Sequence, residues 1–194
     1  AKTQTAKISA GNEIVTSYND PKGRELCLAH QGDPRNFPEN SLEGVQSCIS
    51  MGVDIVDVDV QRTKDGQFVL MKDKDLSRMC TTTDGKSEAT ARVSEETLAD
   101  LLKFYYLRAQ HGGATAASTK YQIATLKDAI KACKGKCMLM INGGFAYASE
   151  INTLARSLGA TDYVIIKKAA DTSKIQSFKS SAGLPVCHIC AYYS

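Results

Sequence analysis

Short apolar runs alternate along this chain with segments whose apolar residues recur every three to four positions. The runs CLAH, DIVDVDV, QFVLM, CMLMIN, YVIIK and PVCHICA are rich in Val, Ile, Leu and Met, the make-up of buried strands. They predict strands at residues 25–30, 54–61, 67–72, 137–142, 163–167 and 185–191. The intervening periodicity predicts helices at 41–51, 94–101, 125–133, 147–158 and 172–181. This alternation is the pattern of a parallel sheet with crossover helices. Asn40, Ser94 and Thr125 stand where a side chain can accept from an orphan helix N–H. Gly52 closes the first of these helices in a left-handed position, and Lys64-Asp65-Gly66 makes a tight turn. Residues 80–92 and 110–124, rich in Thr, Gly, Ser and Ala, read as surface loops.

The second run carries the first chemical inference. Ile55, Asp57, Asp59 and Gln61 share one strand face, and Val56, Val58 and Val60 share the other. In a barrel the valines meet the helices, and Asp57 and Asp59 point inward at the C-terminal mouth, where such folds keep their sites. Two inward carboxylates repel unless a proton or cation lies between them. A hard ion such as Mg²⁺ or Ca²⁺ answers that need, and so does an internal salt bridge.

With 194 residues, 43% of them hydrophobic, the chain is long enough for one domain with a real core. A balance of 24 basic against 21 acidic side chains argues against a nucleic-acid partner or a membrane-surface role. No apolar run approaches the roughly 20 residues of a membrane span. The first residue is Ala and AKTQTAKISAGNE lacks a signal pattern, so the expectation is a processed chain, its targeting segment removed, in a secreted or periplasmic setting. Residues 1–24 read as a polar arm and residues 25–194 as the folded α/β domain. The 7 cysteines cannot all pair within the chain. Cys133-x3-Cys137 and Cys187-His188-x-Cys190 carry zinc-ligand types, but the spacing is irregular and Cys137 and Cys187 fall in apolar runs, so they read as small core residues.

Three stretches, LAHQGDPRNFPENSLEGVQ, MGVDIVDVDVQRTKDGQFVLMKD and IATLKDAIKACKGKCMLMIN, resemble the glycerophosphodiester phosphodiesterase family. The family pattern places His-Arg at the end of a first strand, Glu-x-Asp on a second and His-Asp after a third. The resemblance runs from about residue 25 onward. It implies a TIM-type (β/α) barrel of eight strands and hydrolysis of glycerophosphodiesters or other small phosphate esters. It also implies a divalent ion, with two histidines as general base and acid, a sound division of labour for an anionic diester. Carried over by position, His30 matches the first histidine and Gln31 stands where an arginine would grip phosphate. Asp57 replaces the glutamate, Asp59 matches its aspartate, and Glu39 matches the acid that follows the first strand. These three are the implied ligands of Mg²⁺ or Ca²⁺, if an ion is bound at all. Lys72 takes the place of the second histidine, and Asp73 is kept. Where a further carboxylate should end the fourth strand, the chain has Asn142 and Gly144.

The losses fall together on phosphate grip, metal ligation and proton transfer. Lys72, a poor acid at neutral pH, is expected to lay its ammonium on Asp57 and Asp59 in place of the metal. Lys167, at the end of the fifth run, either draws phosphate or is a solvated strand end. His111 and His188 belong to no motif and read as structural. Six strands of an eight-stranded barrel imply an incomplete barrel: two βα units are missing, a partner or second copy supplies them, or the sheet closes differently. The reading is a phosphodiesterase-like domain with weak or lost catalysis. The alternatives are a non-catalytic ligand- or partner-binding form and an assembly module pairing through an open edge.

Overall fold

The computed structural model describes residues 10–169, 171–182 and 187–192. A first helix, α1 (Ala10–Asn19), precedes β1 (Leu28–His30), α2 (Leu42–Ser50), β2 (Ile55–Arg62) and β3 (Phe68–Leu70). Then come β4 (Cys80–Thr82), α3 (Leu98–Phe104), β5 (Tyr105–Leu107), α4 (Leu126–Cys133) and β6 (Met138–Asn142). The chain continues through α5 (Ala148–Ser157), β7 (Val164–Ala169), α6 (Thr172–Ala182) and β8 (His188–Tyr192). Of the last predicted strand, residues 185 and 186 lie outside the described part.

The sheet runs β1-β2-β6-β7-β8 with every pair parallel. Val56 and Val58 are fully buried and pack in one core with Val45 and Cys48 of α2 and Leu126, Ala129 and Ile130 of α4. Burying each such side chain contributes about 1.5–3 kcal/mol, so the valine face fixes which way β2 turns. Asp57 and Asp59 are thereby committed to the opposite face.

Four sequence expectations need correction. The third strand is not a parallel barrel strand: β3 pairs antiparallel with β2, Val60 opposite Leu70. The Lys64-Asp65-Gly66 turn forces this, since Gly66 sits at φ 79° and a parallel return needs a crossover of a dozen residues or more. The sheet therefore has five parallel strands, and among the described residues none joins β8 back to β1. Leu28 on the β1 edge stays 43% exposed.

The supposed surface loops, secondly, contain a small core. β4 pairs with β5, and Val69, Met71, Leu76, Met79, Cys80, Leu101, Leu107 and Ile123 bury one another apart from the main core. Thirdly, the polar arm is helical over Ala10–Asn19, with Ile14 in the main core. Gly11 permits the approach, because a Cβ there would lie 2.4 Å from the Gly135 carbonyl carbon. Lastly, two caps shift. Ser41, not Asn40, accepts from the Gly44 N–H at 3.1 Å, and Thr97, not Ser94, accepts from the Asp100 N–H at 3.1 Å.

Candidate functional site

The C-terminal ends of the parallel strands form a polar mouth built in two halves. In the strand half, register sets His30 beside Asp57 and Asp59 beside Asn142. His30 Nδ1 lies 3.0 Å from Asp57 Oδ2; the carboxylate is 2% exposed and the imidazole 61%. Lys167 Nζ of β7 reaches the same oxygen at 3.7 Å, and Asn142 Nδ2 donates to Asp57 Oδ1. Asp59 Oδ2 accepts from Gln31 Nε2 at 2.8 Å and from Asn40 Nδ2 at 3.1 Å. Asn40 Oδ1 in turn accepts from the Asp59 N–H at 2.9 Å.

The loop half centres on Glu39, 3% exposed. Its Oε1 accepts from Arg78 at 2.6 Å, and its Oε2 lies 2.8 Å from His111 Nδ1, whose ring is 62% exposed. Arg78 also pairs with Asp73 at 2.5 Å and donates to the His111 carbonyl. Bonding to Glu39 and then Asp73 keeps its guanidinium charged well above the ordinary arginine value. The His111 loop is pinned to Arg78 from behind. The Gly113 N–H donates to the Arg78 carbonyl at 2.7 Å, and at Gly112, φ 69°, a Cβ would lie 2.4 Å from that carbonyl oxygen.

Gln31, Asn40 and Gln110 are the non-glycine residues at positive φ among those described, at 60°, 57° and 51°. All three meet at this mouth: the Asn40 N–H donates to the Gln31 carbonyl at 2.9 Å, and the Glu39 N–H to the Gln110 carbonyl at 2.8 Å. Left-handed backbone costs about 1–3 kcal/mol at such residues and clusters at functional sites.

The structure thus brings His30, Gln31, Glu39, Asp57, Asp59 and Lys167 together. It corrects the expectation for Lys72, which is exposed and makes no ion pair with Asp57 or Asp59. The antiparallel β3 carries it away from the inward face, and Lys167 supplies the ammonium instead. Two contributors were missed. Arg78 has no flag in the sequence, although it stands five positions after Asp73 of the family-like Lys72-Asp73. His111 reads as structural in the sequence, although the two glycines after it signal a backbone held in close contact. His188, by contrast, lies at the far sheet edge, its Nε2 3.1 Å from the Asp162 carbonyl oxygen, with burial lowering its pKa.

The donor set does not fit the implied divalent ion. Both oxygens of Asp57, both of Glu39 and Oδ2 of Asp59 already face N–H donors. Among the described residues no three His, Cys, Asp or Glu side chains converge as a metal site, whereas Mg²⁺ and Ca²⁺ ask for six or more oxygens, those of waters included.

Comparison with known proteins accords with this architecture. The model of the glycerophosphoryl diester phosphodiesterase family matches residues 30–182. A glycerophosphodiester phosphodiesterase of Caldanaerobacter subterraneus is 38% identical over 63 residues, which is 32% of this chain and 25% of the relative. Human glycerophosphodiester phosphodiesterase 1 is 34% identical over 83 residues, 43% of this chain and 23% of that protein. A solved glycerophosphoryl diester phosphodiesterase from Parabacteroides distasonis superposes with a TM-score of 0.71 at 24% identity, covering 95% of this chain and 60% of that one. An Oleispira antarctica phosphodiesterase, solved with the product sn-glycerol-3-phosphate, gives a TM-score of 0.56 at 20% identity over 87% of this chain and 65% of that one. The matches span about a quarter of those two relatives' length, and the structural likenesses carry the TIM-barrel-type α/β fold. With the family model covering most of its length, the chain belongs to the glycerophosphoryl diester phosphodiesterase family.

Proposed function

We propose that the mouth binds a phosphate diester of the glycerophosphodiester class and hydrolyses it slowly. The observation that carries this is the pair of imidazoles, His30 and His111, each with Nδ1 engaged by a carboxylate that is itself buried. That arrangement orients each largely exposed ring and leaves its Nε2 as the nitrogen to exchange protons, as in an oriented proton-transfer group. In hydrolysis one Nε2 takes a proton from water as its oxygen bonds to phosphorus. The other gives a proton to the departing alkoxide, which leaves with the P–O electron pair.

Slowness follows from the charge balance. Stabilising developing charge is usually the largest catalytic contribution, and here the cations are already committed. Lys167 faces Asp57, and Arg78 is shared between Glu39 and Asp73. Gln31, in place of an arginine, turns its amide to Asp59.

Calorimetry with sn-glycerol-3-phosphate and turnover of glycerophosphocholine test the reading together. Binding is expected, with weak turnover that His30→Ala abolishes and His111→Ala lowers by about 10²-fold or more. Binding without turnover supports the non-catalytic alternative, a phosphate-ester-binding domain. Failure to bind, or turnover indifferent to His30→Ala, overturns the proposal.

A further inference from the structure

We infer that Lys167 is a built-in cation occupying the electrostatic place of a divalent ion on Asp57, so that the mouth excludes Mg²⁺ and Ca²⁺ by its own side chains. The inference concerns what neutralises the carboxylates and not which ester is bound, so it stands or falls apart from the proposed function.

Three features carry it. First, parallel register ties the residues to one level of the mouth. Asp59 is opposite Asn142, and Ile141 is opposite Ile166, which brings Asn142 and Lys167 level on neighbouring strands. A lysine there needs no loop movement to reach Asp57, and its Nζ lies 3.7 Å from Oδ2 with the carboxylate 2% exposed. At that separation an ammonium and a largely buried carboxylate attract strongly. A divalent ion would have to displace that attraction and also sit beside the displaced positive charge.

Second, Asn142 donates an N–H to the other Asp57 oxygen. A donor aimed at a carboxylate opposes a cation on the same lone pairs, whereas an acid at this position would have added an oxygen ligand. Third, Oδ2 of Asp59 accepts from the amides of both Gln31 and Asn40. Both residues hold left-handed backbone conformations, at φ 60° and 57°. The fold thus bears local strain to keep amide donors where ligating oxygens would otherwise face water or metal.

The test is metal binding, read without substrate. Wild-type protein, titrated with MgCl2, CaCl2 or MnCl2, should give no specific heat and no rise in melting temperature. The double variant Lys167→Met, Asn142→Glu removes the ammonium and supplies a carboxylate. It should gain binding near millimolar and a rise of a few degrees at saturating ion. Should that variant fail to fold, Lys167→Met alone should show a weaker gain of the same sign. A wild-type site whose heat disappears in Asp57→Asn overturns the inference. So does silence in every folded variant, because Lys167 would then not be what keeps the ion out.

Discussion

The two halves of the mouth solve the same problem, a buried carboxylate holding an exposed imidazole, by different means. In the strand half, His30, Asp57, Asn142 and Lys167 come from four neighbouring strands, and hydrogen-bonded register alone aligns them. In the loop half, Glu39, Arg78 and His111 come from three connections, with the partners of the dyad 72 positions apart in the chain. What aligns them is a left-handed backbone at Gln110 and Gly112 and a small core of their own. Strand positions are thus tolerant of local change and loop positions depend on single backbone conformations. The two halves should respond differently to mutation.

The largest effect is expected at Gly112. Gly112→Val forces a β-branched residue into φ 69° and drives its Cβ against the Arg78 carbonyl oxygen. A cost of about 3 kcal/mol is expected from backbone strain and overpacking together. Hydrogen exchange should then quicken in β4, β5 and the His111 loop while β2 and β6 keep their protection. Equal loss of protection in both regions would show that the small core is not a separate support.

The next prediction asks whether the halves are energetically separate. Asp57→Asn leaves the Lys167 ammonium without its carboxylate and should cost about 2 kcal/mol. Glu39→Gln should cost about 1 kcal/mol, since Arg78 keeps Asp73 and both of its partners reach water. The two residues share no partner, so denaturant midpoints of the double variant should give the sum within about 0.5 kcal/mol. A larger coupling would mean that the neighbouring positions of Glu39 and Asn40 join the halves through the backbone.

This contrast also explains what could be read from the sequence. The strand half was legible because a period of two assigns faces without knowledge of the fold. Val56 and Val58 went to the helices, and Asp57 and Asp59 went inward. The antiparallel β3 is legible as well, for a turn as short as Lys64-Asp65-Gly66 permits nothing else, although its apolar run alone resembles a parallel strand. The origin of the ammonium was not legible. Lys72 is near Asp59 through the hairpin, but Lys167 lies 110 positions beyond Asp57 in the chain, and only the parallel pairing of β6 with β7 brings it in. Arg78 and His111 were hidden for a different reason. Their segment is rich in Thr, Gly and Ser, its apolar residues follow no regular period, and it still buries Met79, Cys80 and Leu107. No periodicity rule detects a core of that kind.

The smallest effect tests how firmly the strand half's own loop is tied. Asp33, just past β1, accepts from Asn36 Nδ2 at 2.9 Å and from Ser47 Oγ at 2.8 Å. The Asn36 and then the Ser47 hydrogen bond hold its carboxyl below the usual carboxylate range. The sign follows from linkage: a folded-state pKa lower than the unfolded value of about 3.9 gives stability that is fully present above that value. It is lost as pH falls through the lower folded value, where both states become protonated. Asp33→Asn should therefore lower the urea midpoint by a constant amount between about pH 5 and 7, and the gap from wild type should close below about pH 4. The change should be smaller than that of Asp57→Asn, because the side chains released at Asn36 and Ser47 have water within reach. A gap that persists unchanged at low pH would mean that Asp33 acts through its shape or backbone rather than its charge. The strand half would then owe its rigidity to register alone.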